Sequence, residues 1–141
     1  PFLLVTTGVR RLSGAVHAPV IDRWRAGDPF VRSAIAEIGD MAEAGWRRLR
    51  AGRINLVGAM MTRSHELVRE MGGTGEPVDR LVADCLAEGA LGAKLAGAGG
   101  GGTVIALAED PDALERGLRT RGYDRFLRLD PDGPGLAAES G

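Results

Sequence analysis

Residues Lys94 to Leu107 read "KLAGAGGGGTVIAL", with five glycines in six positions: Gly97, Gly99, Gly100, Gly101 and Gly102, around Ala98. Ordering a glycine costs roughly 0.5–1 kcal/mol more than ordering an alanine. Five in one ordered loop therefore cost about 2.5–5 kcal/mol. A whole domain is stable by only ~5–15 kcal/mol, so the run needs a reason. A hairpin turn is satisfied by one or two glycines. The excess fits a backbone that must approach something closely, its bare N–H groups aimed at a phosphate, a ligand or another loop.

Three familiar phosphate loops can be tested against this stretch. Residues 97–102 match G-x-G-x-x-G, and with Thr103 and Val104 they match the protein-kinase form G-x-G-x-x-G-x-V. The dinucleotide-binding version needs a helix after the glycines, whereas "TVIALA" is a strand-forming run. The Walker A version needs Gly-Lys-Ser/Thr at its end, but here the loop ends "GGTV", and the sole lysine among 18 basic residues, Lys94, precedes it. The protein-kinase version has the right strand–loop–strand context. It lacks a lysine on the following strand, a His-Arg-Asp loop and an Asp-Phe-Gly triplet. None of the three fits.

The other chemistry-bearing side chains are sparse. His17, His65 and Cys85 show no metal-ligand spacing. Cys85 falls on the apolar face of its segment and reads as a small core residue. A single cysteine excludes an internal disulfide and fits a reducing cytoplasm. His65, beside Glu66, reads as structural. Lys94 either reaches a phosphate or is an exposed strand lysine. Trp24 and Trp46 read as core or helix-contact residues. Asp22, Asp28, Asp79 and Asp110 all have helix or cap explanations, so no catalytic carboxylate and no metal ligand is nominated.

The elements that must position the glycine loop follow from periodicity and punctuation. At 141 residues, 44% hydrophobic, with net charge −1, the chain has the length of one domain. That charge gives no general attraction to nucleic acid or anionic membranes, and no apolar run is long enough for a membrane span. "PFLLVTT" reads as a buried strand closed by Gly8. After the basic turn "GVRRLSG", a helix runs to about Arg25. Asp28-Pro29 is a helix start, opening a long amphipathic helix with Val31, Ala34, Ile35, Ile38, Met41, Trp46 and Leu49 at helical spacing. The next helix is expected from a cap at Asn55 to Met71, with Leu56, Met60, Leu67 and Val68 broadly on one face. Pro77 opens a shorter one with Val78, Leu81, Val82, Cys85 and Leu86 inward. "AKLA" and "TVIALA" are strands, Asp110-Pro111 starts a last helix, and "YDRFLRL" is a final strand. This order predicts an α+β fold, a ferredoxin-like β-α-β-β-α-β split with additional helices. Residues 131–141 are Pro/Gly-rich and read as a loose tail. The chain enters an apolar strand directly at Pro1 and reads as a piece of something longer.

The stretch "GALGAKLAGAGGGGTVIAL" resembles the third motif of the GHMP kinases, the superfamily of galactokinase, homoserine kinase, mevalonate kinase and phosphomevalonate kinase. "HELVREMGGTGEPVDRLVADCLAEGALGAK" is similar to the helix pair before that motif, and "LLVTTGVRR" to the strand and turn that open the C-terminal domain. "SGAVHAPVIDRWRAGDPFVRSAIAEIG" looks most like the glucuronokinase branch. The resemblance covers roughly residues 2–130. It implies a GHMP kinase C-terminal domain over 1–130 whose glycines Gly97 and Gly99 to Gly102, with Ala98, lean against a phosphate loop and the acceptor substrate. It further implies that Arg10, Arg11 and Ser13 lie where the family binds its acceptor. Arg10 or Arg11 can pair a carboxylate bidentately, which suits a uronic acid, or form a solvated basic turn. His17 can hydrogen-bond a sugar hydroxyl, or act as a cap or surface residue.

The family's Gly-Leu-Gly-Ser-Ser loop, and the N-terminal domain that supplies the catalytic aspartate and Mg²⁺ contacts, do not occur in this sequence. The resemblance thus implies the substrate-side half of an ATP-dependent sugar kinase, inactive by itself. ATP and Mg²⁺ would belong to the full-length enzyme, with none bound to this chain alone. The expected partners are the missing N-terminal domain and a sugar, with no nucleic acid and no membrane; a homodimer is compatible. A free-standing ferredoxin-like ligand-sensing module is the alternative. An RNA-recognition module of the same strand order would need aromatics on its central strands, and "TVIALA" has none. In the isolated chain a mobile loop is expected at Gly97 to Gly102.

Overall fold

The computed structural model describes residues 2–9, 13–97 and 102–128, with side chains from residue 17 onward in the second stretch. Arg10, Arg11, Ala98, Gly99, Gly100, Gly101 and the tail lie outside them. In chain order the described elements are β1 (Phe2–Thr6), α1 (Ser13–Arg25), α2 (Pro29–Arg50), α3 (Ile54–Glu70), α4 (Glu76–Ala87), β2 (Gly92–Ala96), β3 (Thr103–Leu107), α5 (Pro111–Thr120) and β4 (Phe126–Arg128).

Two helix starts form as their sequences dictate. Asp28 Oδ1 accepts from the N–H groups of Phe30 and Val31 at 2.9 and 3.2 Å, and Asp110 does the same for Asp112 and Ala113 at 2.9 Å each. Each cap satisfies two N–H groups that a helix start otherwise leaves open. The start of α3 differs from expectation. Its N-cap is Arg53, with no side-chain cap bond, so Asn55 lies inside the helix and does not cap it.

The sheet has the order β2-β3-β1-β4 with every pairing antiparallel. That is the ferredoxin-like split, with α1, α2 and α3 inserted ahead of α4. Alternation along the strands turns Leu3, Val5, Ala93, Leu95, Val104 and Ala106 to one side. There they form the main core with Val78, Leu81, Val82 and Cys85 of α4 and with Leu114 and Leu118 of α5. A fully buried leucine such as Leu81 contributes about 1.5–3 kcal/mol relative to exposure.

The free edge of β2 is closed by α3. Thr62 Oγ1 accepts from the Ala93 N–H at 3.3 Å, and His65 Nδ1 accepts from the Leu95 N–H at 3.4 Å. An open strand edge would otherwise offer unpaired groups to other chains. The helix comes this close because Gly58 of α3 sits directly against Leu91 and Gly92, leaving no space for a Cβ at either glycine.

Several side chains depart from the periodic reading. Trp46 is 62% exposed and Trp24 42%, with Arg50 and Arg32 respectively stacked over them, so neither is a core residue, although Trp24 of α1 meets Arg32 of α2. Only Val31 and Ala34 of α2 are fully buried, against Leu67 and Met71. In α3 the buried set includes Val57, Met61, Ser64 and His65, while Leu56 faces out. The last strand is shorter than expected. Tyr123 leaves the strand line to donate its hydroxyl proton to Asp84 Oδ2 at 2.6 Å. Among the described residues no helix is long and apolar enough to cross a membrane.

Candidate active site

The strand register brings the ends of β1 and β2 beside the starts of β3 and β4. Thr6 pairs with Thr103, Thr103 with Ala96, and Val5 with Phe126. The loop after β1 and the glycine hairpin between β2 and β3 therefore leave the sheet at the same end. They are tied to each other there. The Thr7 N–H donates to the Gly102 carbonyl at 2.8 Å, and the Gly102 N–H returns a bond to Thr7 Oγ1 at 3.2 Å. Thr6 Oγ1 also donates to the Gly102 carbonyl at 3.2 Å. The same hydroxyl oxygens accept from the chain as it turns away, Thr6 from the Gly8 N–H and Thr7 from the Val9 N–H. Reciprocal bonds of this kind fix the spacing of two backbones.

Beside Thr7 opens a cleft of about 560 Å³, walled by Glu76, Pro77, Arg80, Asp84, Arg121, Gly122 and Tyr123. Arg121 is committed, bonded to Asp84 at 2.7 Å and Glu88 at 2.6 Å. Burial first, and then the bond to Asp84, push the Tyr123 phenol up to about 12, so near neutral pH it stays protonated and donates. Arg80 has no ion pair among the described residues, which leaves the cleft one uncommitted guanidinium. Such a group suits a carboxylate or phosphate.

Of the residues singled out in the sequence, Gly97 and Gly102 stand at the two feet of the hairpin. Gly97 is exposed with φ +78°, a conformation that L side chains rarely adopt. Ala98, Gly99, Gly100 and Gly101 lie outside the described residues, as do Arg10 and Arg11. Ser13 begins α1, and His17 is an exposed residue of that helix; no hydrogen bond among the described residues joins His17 to the hairpin. Thr6, Thr7 and Arg80 were not singled out. The only sequence signal for the threonines is the pair "TTG" at a strand end, a local side-chain-to-backbone turn.

His65 is structural, as its sequence context suggests. Its Nε2 lies 3.0 Å from Asp79 Oδ1, out of line for a good hydrogen bond. Because Nδ1 accepts from Leu95, the ring proton belongs on Nε2. Burial lowers its pKa, with Asp79 opposing. Lys94 is not an exposed strand lysine: burial holds its pKa below the ordinary value. Among the described residues no group of three or more His, Cys, Asp or Glu is placed to hold a metal ion.

Comparison with known proteins matches residues 30–124 to the family described as GHMP kinases C terminal. The bifunctional fucokinase/GDP-fucose pyrophosphorylase of Arabidopsis thaliana is 32% identical over 121 residues, covering 84% of this chain and 11% of that protein. A galactokinase of Mycobacterium tuberculosis is 42% identical over 74 residues, 48% of this chain and 20% of that one. Probable glucuronokinase 2 of Arabidopsis thaliana is 39% identical over 61 residues, 43% and 17%. Among solved structures, L. major mevalonate kinase in complex with R-mevalonate superposes with a TM-score of 0.78 at 25% identity, over 89% of this chain and 41% of its own.

Fold and sequence together thus define a kinase-type α+β domain. The chain belongs to the GHMP kinase family and carries its C-terminal domain. It spans between a tenth and a fifth of the length of the curated relatives named above.

Proposed function

We propose that this chain is the substrate-side domain of an ATP-dependent small-molecule kinase acting on a sugar or uronic acid, with residues 1–130 forming the domain and 131–141 a tail. The observation that carries the reading is the reciprocal Thr7–Gly102 pairing, which ties the loop bearing Arg10 and Arg11 to the glycine hairpin. The sugar assignment draws on the fucokinase, galactokinase and glucuronokinase relatives.

Phosphoryl transfer asks little covalent chemistry of a protein and depends on positioning and charge neutralisation. In this reading the N–H groups of Gly97 to Gly102 form one wall of the site. Arg10, Arg11, Ser13 and His17 orient the acceptor, and Arg80 offers a further cation beside Thr7. A bound nucleotide would supply the transferred phosphoryl group. In this reading the Mg²⁺ contacts and the catalytic aspartate belong to an N-terminal partner domain. The chain alone is then inactive.

The test is a phosphorylation screen of the full-length gene product with ATP against uronic acids, hexoses, heptose phosphates and mevalonate. Turnover of a sugar is expected, and turnover of mevalonate alone overturns the sugar assignment. Calorimetry on the isolated chain adds a second arm. Tight binding of a sugar, amino acid or nucleotide by this chain alone would favour the sensing module instead.

A further inference from the structure

We propose that the groove between α2 and α3 is a binding site for a small molecule with an apolar body and one terminal carboxylate or phosphate, its oxyanion held by Lys94 and Ser64. The inference is independent of the kinase reading.

The groove encloses about 280 Å³, and Ile38, Met41, Met60 and Met61 make most of its apolar lining, with Lys94 and Ser64 as its polar groups. Small-ligand sites have this make-up, a mostly apolar wall with a few convergent polar groups. Methionine is unbranched and polarizable, and adapts to ligands of varied shape.

Lys94 reaches this groove because strand alternation turns its neighbours Ala93 and Leu95 to the main core and Lys94 to the opposite face. Its ammonium donates to the Leu95 carbonyl at 2.9 Å. An ammonium has three donors, so two remain for a ligand. No carboxylate among the described residues is in salt-bridge range of it. Of those on the facing helices, Glu37, Glu66 and Glu70 surround Arg63, Glu43 pairs with Arg47, and Asp40 makes no ion pair among the described residues; Asp79 of α4 faces His65. A partly buried cation without a counter-charge is unfavourable, and burial accordingly lowers the Lys94 pKa. An incoming oxyanion relieves that cost.

Ser64 supplies the second polar group. It is only 9% exposed, yet the hydrogen bonds made to β2 from this helix come from Thr62 and His65. Ser64 Oγ takes part in no hydrogen bond among the described residues. Its hydroxyl is therefore available to the same oxyanion.

The experiment uses the chain with methyl-¹³C methionine. Three of its four methionines line the groove; Met71, packed with Val31 and Leu67 in a cluster that Ile38 and Met41 adjoin, does not line it and serves as the reference methyl. Octanoate, octyl phosphate and octanol are titrated at pH 7. Expected are saturable shifts of the Met41, Met60 and Met61 methyls, with Met71 unmoved, and at least tenfold tighter binding of one anion than of octanol. Whichever anion binds tighter identifies the head group. Lys94→Met should bring the anions to within threefold of octanol, with Lys94→Gln as the second variant if the first fails to fold. Ser64→Ala should weaken the anion several-fold. Equal affinity for octanol and both anions, shifts that include Met71 equally, or unchanged anion binding in a folded Lys94 variant would each overturn the proposal.

Discussion

Replacing Gly58 by alanine should destabilise the domain, although the same change in an open helix stabilises it. Gly39 and Gly58 both lie inside helices, α2 and α3. A Cβ added at Gly39 meets nothing within 4 Å, whereas one at Gly58 runs into the carbonyl and Cβ of Leu91. Helix propensity favours alanine over glycine by about 1 kcal/mol, so Gly39→Ala should gain roughly 0.5–1 kcal/mol. At Gly58 the obstacle is backbone and cannot rotate away. Leu91 is itself anchored, its N–H bonded to the Leu107 carbonyl at 2.7 Å. Overpacking of this kind costs about 1–3 kcal/mol. Displacing α3 also strains the Thr62 and His65 bonds to β2, each worth on the order of 1 kcal/mol. The net loss should be about 2–4 kcal/mol, or roughly 6–16 °C in Tm for a chain of this size. Thermal and urea unfolding followed by far-ultraviolet circular dichroism on the two variants would measure it. A Gly58→Ala protein that melts at or above wild type would refute the close helix–strand contact.

Two further predictions concern buried titrating groups. His65 carries a pKa lowered by burial, against ~6.5 for an unfolded histidine. The unfolded chain therefore binds more protons below that value, so stability is full above about pH 6.5 and falls as pH drops toward the folded pKa. Urea unfolding from pH 7.5 to 5 should show this slope in wild type and a shallower one in His65→Asn; equal slopes would rule it out. Cys85 is fully buried, and burial foremost, with Asp84 adding to it, pushes its thiol up to about 12. A thiol reagent at pH 8 should label it only at the rate of unfolding, and fast labelling of the native chain would contradict the packing.

The helices and strands were legible in the sequence wherever a local signal set them. Asp28-Pro29 and Asp110-Pro111 announce their helices because the cap bonds span only two or three residues. The ferredoxin-like order followed from those elements in sequence. What stayed hidden depends on distant partners. The meeting of Gly58 with Gly92 gives no local sign, since an interior helix glycine looks the same whether or not a strand lies against it. The exposure of Trp46 is equally unreadable, because helical spacing shows an apolar face without showing how much of it is covered. At the candidate site the glycine hairpin was conspicuous, but its bond to Thr7 joins residues far apart in the chain. The setting of Lys94 is equally hidden, because a strand position does not show that residues of α2 and α3 share a groove with it.

The pairing of Thr7 with Gly102 offers the most direct test of the proposed kinase role. Thr7→Val keeps the shape of the side chain and removes the acceptor used by the Gly102 and Val9 N–H groups. In the full-length gene product, the quantity to measure is kcat/KM for transfer of the ATP γ-phosphate to its preferred sugar, wild type beside Thr7→Val. Loss of about 1.4 kcal/mol of positioning corresponds to a tenfold fall, so a decrease of tenfold or more is expected while the variant remains folded. Absence of sugar phosphorylation by the wild type, or an unchanged kcat/KM in a folded Thr7→Val protein, would contradict the assignment of this end of the sheet to the phosphoryl-transfer site.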